Sequence, residues 1–162
     1  MQELQKRFNT LFKECKEELK NIIPYSDNIY GEIKIMKSKK SLGRCKRNFV
    51  YYTIYLSKYM GGCTDKEIKN TICHELIHTC EKCFNHGEVF KKYASILNDK
   101  FNYNIKRTST CENFKNSYKL DCKYIIKCKN CNHTTYLKRK LKYHIDLYKC
   151  TCNGKLEYIK GV

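Results

Sequence analysis

The run His74-Glu75-Leu76-Ile77-His78 constrains this chain more than any other feature. Histidines at positions i and i+4 share one face of a helix, a turn apart, so both imidazoles can reach a single zinc ion. Thr64-Asp65-Lys66-Glu67, ten residues upstream of the motif, has the form of a capping box. The spacing therefore predicts a helix from Thr64 to about Glu81, with Ile68, Ile72, Leu76 and Ile77 as its buried face. The fold must cover that face and leave the imidazoles open to a ligand. Glu75 lies beside His74 around the helix, placed to take a proton from a water at the metal and pass it to a leaving nitrogen. A catalytic zinc needs three protein ligands and an open position. His86, after seven intervening residues, can be the third, with Glu81 and Glu88 as carboxylate alternatives. The longer HExxHxxGxxH pattern is not met, since Glu81 and Phe84 stand at its Gly and last His positions.

The rest of the chain reads as a frame for that helix. Leu4, Phe8, Leu11, Phe12, Cys15, Leu19, Ile22 and Ile23 recur at helical spacing ahead of Pro24, predicting an amphipathic N-terminal helix. Ile33 and Ile35, the basic stretch 37–47 and the apolar run Phe49 to Leu56 fit two or three antiparallel strands. A second helix is expected from Gly87 to Leu97, residues 98–120 as a connection, and short strands after Cys122. No stretch approaches the ~20 apolar residues of a membrane span. No leader is visible at the N-terminus, so a cytoplasmic chain is expected, nucleoid-associated or nuclear according to the cell. With 41% hydrophobic residues and a single Pro, disorder and collagen-like architectures are excluded.

Twelve cysteines in 162 residues would suggest a disulfide scaffold in a small secreted chain. In a chain of this length and setting, clustered cysteines point to metal instead. Cys128 and Cys131 form one knuckle, Cys150 and Cys152 a second, and four thiolates around one zinc make a closed structural site. The second pair is spaced CxC rather than CxxC, so Cys122, His133 and His144 are alternatives to Cys150. Cys80 and Cys83 read as two buried thiols, and Cys15, Cys45, Cys63, Cys73 and Cys111 as small apolar side chains.

Lys and Arg number 33 against 16 Asp and Glu, a formal charge of +17, of which +8 falls in residues 111–162. Between the cysteine knuckles, Lys138, Arg139, Lys140 and Lys142 alternate with aromatics including Tyr143, and Lys39, Lys40 and Arg44 belong to the densest cluster upstream. Such residues neutralise phosphates and offer ring faces to bases. No groove-reading helix stands out, so non-sequence-specific DNA binding is the expectation.

The run HELIHTCEKCFNHGEVFKKY resembles the SprT-like metallopeptidases, in which HExxH is followed by a His-Gly pair opening the next helix; His86-Gly87 stands there. Leu42-Gly43, Leu56-Ser57 and the ending Cys152-Asn153-Gly154-Lys155-Leu156 extend the likeness. The resemblance implies an α+β fold: a small zincin-type metallopeptidase domain at 1–110, with an N-terminal helix, a short antiparallel sheet, the HExxH helix and a following helix, then a β zinc ribbon at 111–162. It implies one catalytic zinc on His74, His78 and His86, one structural zinc on Cys128, Cys131, Cys150 and Cys152, and Glu75 as general acid/base. It further implies an endopeptidase cleaving proteins bound or crosslinked to DNA; separately from the resemblance, a monomer is expected. The rival reading is a non-catalytic DNA-binding protein in which both zinc ions are structural.

Overall fold

The computed structural model describes residues 1–109 and 111–161 and divides into two units, Met1–Lys115 and Asn116–Val162. The first contains α1 (Gln2–Leu19), β1 (Lys34–Met36), β2 (Gly43–Arg47), β3 (Tyr52–Ser57), α2 (Asp65–Ile77) and α3 (Glu88–Phe101). Helix α4 (Glu112–Leu120) crosses the boundary, and the second unit holds β4 (Tyr124–Cys128), β5 (Thr134–Leu137) and β6 (Leu156–Lys160). Among the described residues this is a mixed α+β chain with two three-stranded sheets. No helix among them is long and apolar enough to cross a membrane.

The core of the first unit joins Phe8, Phe12 and Leu19 of α1 to Ile68, Ile72 and Leu76 of α2 and to Ile54 and Leu56 of β3, all fully buried. Helix α1 ends at Leu19 rather than reaching Pro24, because Asn21 takes a left-handed φ of 65° and turns the chain early, although Ile23 stays buried. The sheet order is β1-β3-β2, with β1 parallel and β2 antiparallel to β3, so the sheet is mixed rather than antiparallel. The most apolar strand takes the centre, with Thr53, Ile54, Leu56 and Ser57 buried, and basic β2 is left at an edge. The capping box at Thr64 forms in full, but α2 ends at Ile77, short of Glu81. His78 keeps helical dihedrals at the C-cap, and α3 runs past Leu97 to Phe101, stopped by Asn102 in the left-handed region.

Residues 98–120 are not simply a connection, since α4 forms within them. Its Asn, Lys and Ser content hides the helix, and Phe114 is its one buried residue, set edge-on to Tyr59 at 6.1 Å. In the second unit β4 is central, paired with β5 and β6, and the two cysteine knuckles lie at turns carrying Asn132 and Asn153 with φ near 60°.

Candidate metal centres

Helix α2 carries His74 and His78 one turn apart, and the residue before the N-cap Gly87 of α3 brings in His86. Their facing Nε2 atoms lie 3.2 Å (His78 to His74) and 3.0 Å (His86 to His74) apart. Three imidazoles on one tetrahedral zinc, at roughly 2.0–2.1 Å each, would stand about 3.3 Å apart. The His78 Nδ1–H donates to the Cys83 carbonyl at 2.8 Å, fixing the tautomer that leaves Nε2 free to ligate. His74 makes a backbone hydrogen bond at Lys106. Burial draws the His74 pKa down to about 4, aided by the neighbouring imidazoles, and burial also lowers His78 and His86. All three rings are therefore neutral at ordinary pH, the state a metal requires. The carboxylate alternatives stand apart from this cluster: Glu88 is exposed and paired with Lys91, and Glu81 is exposed.

Phe90 of α3 was legible in the sequence only as a core position. Its ring centroid lies 4.7–5.0 Å from those of all three histidines, and its side chain is fully buried. One aromatic residue thus forms a shared apolar wall that orients the triad and accounts for part of the burial lowering its pKa values.

Glu75 is 6% exposed, and burial pushes its carboxyl up to about 8 against a backbone bond from Cys45 and the charge of Arg44. It faces β2. A β-carbon on Gly43 would come within 2.7 Å of Glu75 Oε1 and 2.8 Å of Thr71 Cγ2, so the strand approaches the carboxylate as only glycine permits. The residues paired through hydrogen bonds to β3 are Leu42 and its alternates, so the backbone groups of Gly43 and Cys45 point away from β3, where the Cys45 N–H meets Glu75 and the groups of Gly43 face the edge. A cavity of about 270 Å³ adjoins this edge, lined by Lys40 to Gly43, Thr71, His74, Glu75 and Arg107 to Ser109. Sequence reasoning did not find the Arg107 to Ser109 wall, because its residues are polar loop residues with no pattern of their own.

The second cluster brings together Cys128, Cys131, Cys150 and Cys152. Cys128 and Cys152 Sγ lie 3.6 Å apart and Cys131 and Cys150 Sγ 3.5 Å apart, against about 3.8 Å for thiolates on one tetrahedral zinc. A β-carbon on Gly154 would strike Cys128 Sγ at 2.6 Å, so glycine makes room for the cluster. Backbone bonds at Cys152 and Gly154 lower the thiols of Cys150, to about 6, and of Cys152. The alternatives are engaged elsewhere: Cys122 donates to the Tyr118 carbonyl, and His144 pairs with Asp146.

A third grouping, Cys63, Glu67 and Cys111, was not foreseen. Its two sulfurs are 2.9 Å apart, too close for two thiolates sharing a zinc, so it fits a metal less well than the other two. Of the basic residues, Lys40 lines the cavity, Arg44 lies on β2 and Lys39 in the loop before it. Lys138 ion-pairs with Asp121 and faces the Tyr118 ring; Lys140 lies over Tyr158 and Lys142 over Tyr143, while Arg139 follows Lys138 past β5.

A helix presenting two histidines and a carboxylate to a third histidine, beside an open strand edge, defines a metallopeptidase-like domain. The chain belongs to the SprT-like family, whose sequence model matches residues 1–109. It is also 30% identical over 97 residues to the germ cell nuclear acidic protein of Drosophila melanogaster. That match takes in 57% of this chain and 9% of the relative's length.

Proposed function

We propose that the chain is a zinc-dependent endopeptidase of zincin type that acts on proteins bound or crosslinked to DNA. The observation that carries the catalytic half is the convergence of three imidazoles beside a buried carboxylate at a cavity on a strand edge. A structural zinc is closed by four protein ligands, whereas three histidines leave a position open, which favours catalysis over the purely structural reading. Zinc held by His74, His78 and His86 would acidify water and polarise a peptide carbonyl. Gly43 offers its backbone N–H and C=O, and Cys45 its C=O, for an extended peptide to pair with, while the Cys45 N–H holds Glu75, and this sets the scissile bond against α2. Glu75, buried beside the site, accepts in its carboxylate form the proton from the attacking water and returns it to the amine that leaves. Arg107, whose charge is close enough to lower His86, supplies positive charge on the cavity wall as the carbonyl oxygen becomes anionic.

The nucleic-acid half is supported by the +17 charge and by the basic clusters in each unit. The relative's printed name, which places that protein in the nucleus, points the same way. The four-thiol cluster holds a second, structural zinc, and the chain acts as a monomer. The test is cleavage of a DNA-bound protein by wild type and Glu75→Gln, with zinc counted in both. Glu75→Gln should keep its zinc and lose about 10²–10⁴-fold in rate. Equal rates in the two would refute the mechanism, and cleavage indifferent to DNA across a salt series would refute the coupling to DNA.

A further inference from the structure

Two of the most exposed apolar side chains of the first unit lie together at the tip of the β2–β3 hairpin. Phe49 is fully exposed and Val50 77% exposed. The Asn48 N–H donates to the Tyr51 carbonyl at 2.9 Å, leaving Phe49 and Val50 as a two-residue loop. Loops of that length favour Asn and Gly with positive φ, and neither residue here has one. Phe and Val at this place thus serve neither the turn nor the core.

Their surroundings identify a ligand. Tyr51 and Tyr30, each about 40% exposed, have ring centroids 6.1 Å apart, and Lys34 Nζ lies 4.3 Å above Tyr30. Arg47 and Lys46 lie over Tyr52 and Tyr55 at 5.8 and 5.5 Å. From residue 28 to 58 there are eight Lys and Arg and one acid, Glu32. Exposed rings set among cations, with almost no carboxylate, match a chain that carries a phosphate at every step and an unstacked base between them. A duplex hides its base faces, and two apolar side chains are a small area for membrane insertion.

We propose that the β2–β3 tip is a stacking site for single-stranded nucleic acid, in which Phe49 and Tyr51 take bases while Lys34, Lys46 and Arg47 neutralise the flanking phosphates. The site rests on the nucleic-acid half of the function above and is independent of the peptidase half.

The test is fluorescence anisotropy of the full-length chain with a labelled oligothymidylate and with an abasic oligomer of equal length, at fixed salt. Phe49→Ala should weaken thymidylate binding roughly 5- to 100-fold and leave abasic binding unchanged. Arg47→Ala should weaken both alike. Because the chain has no Trp, Phe49→Trp is a single reporter that should restore binding and be quenched by the thymidylate. Wild-type binding that Phe49→Ala does not alter, or alters equally for both oligomers, overturns the stacking site alone. So does Phe49-dependent binding to phosphatidylserine vesicles with thymidylate binding unchanged. Wild type that binds neither oligomer nor duplex overturns the nucleic-acid half as well.

Discussion

Gly43→Ala adds one methyl group, and the structure says where it must go. The new carbon would sit 2.7 Å from Glu75 Oε1, 2.9 Å from Glu75 Cγ and 2.8 Å from Thr71 Cγ2. Carbon contacts are comfortable from about 3.5 Å, so roughly 0.6–0.8 Å has to be recovered. The strand cannot supply it freely, because Gly43 is held opposite Leu56 in the β2–β3 ladder. Thr71 and Glu75 stand on one face of α2, whose Ile68, Ile72 and Leu76 are fully buried, so the helix resists as well. The softest response is rotation of Glu75 away from β2. Overpacking of this kind costs about 1–3 kcal/mol, a fall in Tm of roughly 2–10 °C. A misplacement approaching 1 Å costs up to about 100-fold in rate, and it should fall on kcat more than on KM. The zinc count should stay at the wild-type value, because none of the atoms struck is a histidine. Gly31→Ala, whose added carbon meets nothing within 4 Å, is the control. Gly43→Ala with wild-type kcat and Tm would refute the placement of Glu75 against the strand, and with it the reading of β2 as the substrate edge.

The purified chain should hold two zinc ions, and Cys152→Ser should reduce that to one while melting the second unit first. A count of three would show that Cys63, Glu67 and Cys111 load as well. Phe90→Leu should raise the zinc Kd of the histidine site about 10-fold in a chelator competition, since its ring orients all three imidazoles. Thr64→Ala should remove about 1 kcal/mol of stability by opening the capping box, measured by urea denaturation. Burial raises the Glu67 pKa, but bonds with Thr64, Cys111 and Asn113 outweigh it and hold the group below its ordinary value. Its contribution is therefore whole above about pH 4.3 and fades as pH falls through the lowered pKa, so Glu67→Gln should flatten the acid limb of stability against pH.

What could be read along the chain was whatever depends on short spacings. The i, i+4 histidines, the capping box and the paired cysteines each place their atoms within a turn of helix or a tight knuckle, so covalent geometry alone brings the donors near one another. His86 and Cys150 were legible as candidates, but which of several residues would complete each set depended on how separate elements pack. Tertiary structure decided that His86 rather than Glu81 or Glu88 joins the pair on α2, and that Cys150 rather than His133 or His144 joins the thiols. It also decided what no local pattern encodes. The most apolar strand moves to the centre of the sheet and leaves β2 at an edge; Gly43 then comes to rest on Glu75, and Phe90 against three rings from two segments. The physical reason is that ligand chemistry is carried by residue type and short-range spacing. Burial, pKa and the close approach of a strand arise from side chains far apart in sequence that share one core.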